Sequence, residues 1–144
     1  MERLTIKELA PYVEHDIKGL LTPQKEIVTL TGIFVDKFGL HEVQINYNGC
    51  YALSRFKPLL RPLSSLTDEI EHNGERFVPM VEIKNSEYYS HYELEDFVRN
   101  SFSYGSLNSL SYQLITKLHE WHFDVFGLID RGIALPIDGK EVKP

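Results

Sequence analysis

Metal chemistry would be sought first in the run His119-Glu120-Trp121-His122-Phe123-Asp124. Histidines at i and i+3 occupy neighbouring positions on a helix. His119, His122 and Asp124 would thus offer a divalent ion two imidazoles and a carboxylate if another segment completed the set. The spacing departs from the metalloprotease helix, which places its histidines at i and i+4 with a Glu beside the first. His122 also falls on an apolar stripe centred on Trp121, and a histidine so placed reads as a core residue. The expectation is no metal and no cofactor, with a metal-binding module or metal-assisted enzyme built on these three residues as the alternative.

Other catalytic chemistry has less to stand on. The chain has no Gly-x-Ser-x-Gly elbow and no phosphate-cradling glycine loop. Cys50, the single cysteine, follows the turn residues Asn48-Gly49, with no helix N-terminus or base to activate its thiol. Arg55, Lys57 and Arg61 form a small basic patch with no acid between Tyr51 and Pro62. Three charges are few for a phosphate or nucleic-acid strand, so pairing with acids of the same fold is the preferred reading, and a small nucleic-acid-binding accessory protein is a further alternative.

The acids are concentrated. The chain carries a formal charge of -6, and between Leu66 and Asp96 nine acids face only Arg76 and Lys84, leaving -7 there and about +1 elsewhere. Direct nucleic-acid binding is not expected of such a chain, because neutralising phosphates needs clustered Lys and Arg. In the second part of that stretch Glu87, Glu93, Glu95 and Asp96 interleave with Tyr88, Tyr89 and Tyr92. Tyrosines give contact area at low entropy cost and carboxylates speed encounter with a basic surface, which makes these seven residues the candidate partner-binding site. The competing reading is a solvated helix face.

The elements that must carry these residues follow from periodicity. With 42% hydrophobic and 25% charged residues, the 144 positions read as one globular domain, residues 1–144. A lone cysteine excludes a disulfide framework within the chain. The polar start Met1-Glu2-Arg3-Leu4-Thr5 and the lack of any long apolar run predict a cytoplasmic protein with no membrane contact.

Thr5 and Glu8 have capping-box spacing and predict a short first helix, cut or bent by Pro11. Glu26–Val35, His41–Tyr47 and Tyr51–Leu53 predict an antiparallel meander turning at Asp36–Gly39 and at Asn48-Gly49. Prolines 58 and 62 make Phe56–Leu63 an expected irregular crossover. Beyond it, a short helix ending at Asn73-Gly74, a strand over Phe77–Ile83 and a helix to about Asn100 are expected, with a loop over Ser101–Ser109. Leu110, Leu114, Leu118, Trp121 and Val125 then recur at steps of four, four, three and four, predicting a core-facing helix from Leu110 to Phe126 capped by Ser109. Ile133–Ile137 reads as a short edge strand.

These elements predict an α+β fold: a small antiparallel sheet packed against a long C-terminal amphipathic helix, with shorter helices besides. Two stretches resemble a family of small proteins carried by phages and prophages of anaerobic bacteria. They are Lys57-Pro58-Leu59-Leu60-Arg61-Pro62-Leu63 running on to Val78-Pro79, and Lys117-Leu118-His119-Glu120-Trp121-His122-Phe123-Asp124-Val125-Phe126-Gly127 running on to Gly132. The family brings no assigned activity. The resemblance implies a non-enzymatic phage or prophage accessory protein that binds a protein partner. It suggests an inhibitor of a bacterial antiphage defence complex, of anti-CRISPR type, that works in the host cytoplasm on a nuclease with a basic groove.

Overall fold

The computed structural model describes residues 3–85 and 112–137. It is an α+β arrangement in which helix α1 (Ile6–Leu9) runs into a 3-10 turn (Ala10–His15) ahead of five strands. These are β1 (Lys18–Leu21), β2 (Glu26–Val35), β3 (His41–Ile45), β4 (Gly49–Ala52) and β5 (Phe56–Leu60). A 3-10 turn at Leu63–Thr67 leads to the hairpin of β6 (Ile70–His72) and β7 (Glu75–Phe77), then to α2 (Pro79–Lys84). After the undescribed residues come α3 (Tyr112–Glu120) and β8 (Leu135–Pro136).

Thr5 and Glu8 close the expected capping box, each side chain satisfying the other's backbone N–H. Burial works against the Glu8 charge, but hydrogen bonds from Arg131 and Thr5 hold its carboxyl below the usual range. The main sheet runs β4-β3-β2-β1-β5-β8. Its pairs are antiparallel except β5 with β8, which is parallel, so the sheet is mixed rather than wholly antiparallel. Strand β1 went unread in the sequence because its four residues include a glycine. That glycine is required: a Cβ at Gly19 would lie 2.3 Å from the Phe56 ring, which crosses β1 at this point.

Several expected elements are corrected. Phe56–Leu60 is a regular strand, not a crossover; β8 pairs only with Leu59 and Leu60, and Pro58 is accommodated beside Gly19. The β3–β4 turn is made by Asn46 and Tyr47, both at left-handed φ, two residues before the Asn-Gly signal. Ile70–His72 is a strand, and Asn73-Gly74 is its hairpin turn rather than a helix end. The strand expected over Phe77–Ile83 stops at Phe77, because Pro79 takes the first turn of α2, where its missing N–H costs nothing.

The long helix is not there either. Helix α3 has nine residues and ends at Glu120, because His122 adopts φ 64 and the buried Phe123 leaves the helix to bridge Arg61 in parallel. Ser109 and Leu110, where that helix was expected to start, lie outside the described residues, as do the helix to Asn100 and the Ser101–Ser109 loop. Nor does α3 cover the sheet. It packs in a second buried cluster with Leu63, Leu66, Ile70, Met80 and Ile83, where Leu114, Leu118, Trp121 and Val125 of the stripe all lie. The sheet core (Val28, Leu30, Val43, Ile45, Phe56, Leu60) is closed instead by Leu9, Tyr12 and Ile17 from the N-terminal segment and by Leu128, Ile133 and Ala134.

Candidate functional site

Arg61 leaves the end of β5 and is almost wholly buried, at 2% exposure. Its Nη1 donates to the Trp121 carbonyl at 2.6 Å and its Nη2 to the Glu71 carbonyl at 2.7 Å, while Nη1 lies 3.4 Å from His72 Nδ1. Its backbone N–H donates to His122 O, and its carbonyl accepts from Asp124 N. The two sequence stretches singled out above are therefore laced together through one residue.

Around Arg61 opens a cavity of about 340 Å³ lined by Asp16, Lys18, Thr29, Leu59, Arg61, His72, Asn73, His122 and Ile137. The His72 and His122 rings meet edge to face with centroids 4.8 Å apart. A guanidinium can only donate, so His72 Nδ1 accepts and the ring's proton sits on Nε2. By the same logic His122 Nε2 donates to the His15 carbonyl at 2.6 Å, leaving its Nδ1 as the acceptor. Burial first, and then the Arg61 charge, pushes His72 down to about 4. Burial pushes His122 to about 4 as well, against the pull of its bond to His15. Of the six non-glycine residues at left-handed φ among the described residues, Asp16, Asn73 and His122 line this one cavity. Asp16 ends the first 3-10 turn, Asn73 turns the β6–β7 hairpin and His122 follows the end of α3, and Asn, Asp and His are the side-chain-bearing residues most often found in that conformation.

A second feature lies at the far end of the sheet. The β2–β3 hairpin exposes Phe34 (47%), Val35 (59%), Phe38 (77%) and Leu40 (62%) at its tip. The tip is not slack: the Asp36 carboxylate accepts from Phe38 N at 2.8 Å and Leu40 N at 2.9 Å. The Asp36 carbonyl takes Gly39 N, and its own N–H donates to Leu40 O. Gly39, at φ 81, makes the reversal possible. Beside the tip is a groove of about 640 Å³ whose apolar wall includes Leu40, Leu53, Phe56 and Ile133.

The residues read from the sequence are distributed as follows. His119, His122 and Asp124 diverge and do not form a metal centre. His119 lies edge-on to Tyr12 at 4.8 Å, His122 faces His15 and the cavity, and Asp124 accepts the N–H groups of Leu128 and Ile129. Among the described residues no three His, Cys, Asp or Glu side chains come together as a ligand set.

Arg55, Lys57 and Arg61 are likewise separated rather than forming one patch. Arg55 stacks on Tyr51 and bonds Thr22 O and Gln24, Lys57 borders the groove by the hairpin tip, and Arg61 is interior. Cys50 is exposed on β4. Glu87, Tyr88, Tyr89, Tyr92, Glu93, Glu95 and Asp96 lie outside the described residues. Sequence reading missed the Arg61 cavity because its walls come from six separate parts of the chain. It missed the hairpin tip because an apolar residue in a turn carries no periodic signal. No family model matches this chain, and no curated protein or solved structure does either.

Proposed function

We propose that the chain is a non-enzymatic binding protein that docks on a protein partner, with the β2–β3 tip as its apolar anchor. The observation that carries this reading is the group Phe34, Val35, Phe38 and Leu40, held in water on a loop fixed by four hydrogen bonds. Apolar side chains so exposed have no role in the protein's own core, and a rigid loop loses little entropy when it binds. The groove beside the tip would receive a side chain of the partner.

The partner's surface is basic in this reading, because the chain's charge of -6 would steer it there. The finer form of the proposal keeps the phage or prophage origin. The protein occupies the nucleic-acid groove of a host antiphage complex such as a CRISPR effector nuclease, in the host cytoplasm, with Glu87, Tyr88, Tyr89, Tyr92, Glu93, Glu95 and Asp96 adding charged contact. No helix among the described residues is long and apolar enough to cross a membrane.

The test compares capture of host proteins by the wild-type chain, by a Phe38→Ser/Leu40→Ser variant and by a Glu93→Lys/Glu95→Lys/Asp96→Lys variant. A true partner is lost at least tenfold by the first, since each anchor contributes on the order of 1–2 kcal/mol. The second variant slows its association and removes its salt dependence. Equal retention of the same proteins by all three chains, each melting normally, would rule the reading out.

A further inference from the structure

The cavity around Arg61 has no part in docking at the hairpin tip, and its lining is not that of a core void. Seven of its nine lining residues are polar or charged. They converge from the N-terminal segment (Asp16), from β1 and β2 (Lys18 and Thr29, paired across the two strands), from the end of β5 (Arg61), from the β6–β7 hairpin (His72, Asn73) and from the turn after α3 (His122).

The donor set defines the ligand. Lys18 and Arg61 bring fixed positive charge, and Thr29, Asn73 and the Nε2–H of His72 add neutral donors. A metal cation is disfavoured beside the guanidinium, which contacts His72 at 3.4 Å. A planar carboxylate would be met by one fork on one side. Donors spread over several walls instead suit an anion with oxygens pointing in several directions. The volume exceeds that of a bare oxyanion and sits at the lower end of small-molecule pockets. Asp16, exposed on the rim, supplies an acceptor for hydroxyls on the remainder of the ligand. From this geometry we infer that the cavity binds a small phosphomonoester, its phosphate among Lys18, Arg61, His72 and His122 and its polyol portion toward Asp16. Phosphate there also favours protonation of His122 at Nδ1, a charge that burial otherwise suppresses, while His72 stays neutral and donates through Nε2–H with its Nδ1 accepting from Arg61.

The full-length chain at pH 6.5 is titrated with inorganic phosphate, with ribose 5-phosphate and with ribose, following the imidazole proton resonances by NMR against chloride at matched ionic strength. Both phosphates should move the His72 and His122 signals saturably, His122 toward its protonated position. Ribose 5-phosphate should reach half-saturation at a concentration at least tenfold lower than inorganic phosphate, and ribose alone should do nothing. Because Arg61 is interior and its loss would unfold the site, the variant is Lys18→Met. It should raise the ribose 5-phosphate half-point at least tenfold while melting like the wild type. Shifts that chloride reproduces, equal half-points for the two phosphates, or a Lys18→Met chain that binds as the wild type does would each overturn the assignment.

Discussion

Single side chains set much of this protein's chemistry, and His119 is the plainest case. It is buried at 7% exposure against the edge of Tyr12, yet its Nε2 has no hydrogen-bond partner among the described residues. Burying an unmet polar atom costs on the order of 1–3 kcal/mol, so His119→Phe, which keeps the ring and removes the nitrogen, should stabilise the fold by about 1 kcal/mol in urea denaturation. The neighbouring Tyr12 is the opposite case: its hydroxyl donates to Phe123 O at 2.6 Å and accepts from Val125 N at 3.2 Å. Tyr12→Phe removes both bonds and leaves Val125 N and Phe123 O only their own 3.0 Å bond to each other, and should cost about 1 kcal/mol by the same measurement.

Acid sensitivity belongs to this scale too. His72, His119 and His122 are each held down to about 4 in the folded chain, chiefly by burial. Unfolded, they titrate near 6.5, so below that pH the unfolded chain takes up protons that the folded chain excludes. Their contribution is whole above pH 6.5 and is lost as the pH falls through about 4. The slope is at most about 1.4 kcal/mol per pH unit for each ring. Denaturation midpoints should therefore be flat from pH 7 to 8 and drop between 6.5 and 4, less steeply in His119→Phe.

Among the elements, the β2–β3 hairpin depends most on one local residue. Replacing Asp36 by Ala removes both carboxylate bonds to Phe38 N and Leu40 N. Because the loop is exposed, stability should fall by no more than about 1 kcal/mol, while amide exchange at Phe38 and Leu40 should rise sharply. This hairpin was legible in the sequence: its alternation and its Asp-Lys-Phe-Gly turn are local signals. So was the capping box at Thr5.

What escaped was decided by partners distant in sequence. Phe56–Leu60 becomes a strand despite Pro58 because β1 and β8 flank it. Pro79 starts a helix because Met80 and Ile83 have a second core to enter. The stripe from Leu114 to Val125 named the right buried residues and carried the helix too far, since a run of apolar side chains looks the same whether a helix continues or breaks at His122 into a bridge with Arg61. The candidate cavity was illegible for the same reason: its chemistry is assembled from six places at once.

At the scale of the molecule, the two buried clusters are joined by a few polar clasps. Arg61 holds the Trp121 and Glu71 carbonyls, and Tyr12 holds Phe123 and Val125. Arg61→Met fills much of the space but leaves those carbonyls without their donor. It should destabilise by about 3 kcal/mol or more, and as one transition if the clusters fold as a unit, which coincident fluorescence of Trp121 and far-ultraviolet circular dichroism would report. The clasps also have an order in time. Tyr12 meets Phe123 across 111 positions of chain, and the Arg61 guanidinium meets Trp121 across 60. Such distant closures are slow relative to hairpins. On the ribosome, the N-terminal segment and strands β1 to β5 are synthesised long before the residues that seal them. The nascent sheet must wait until Trp121, Phe123 and Val125 have emerged, so the two clusters are clasped together only after the turn beyond α3 has been made.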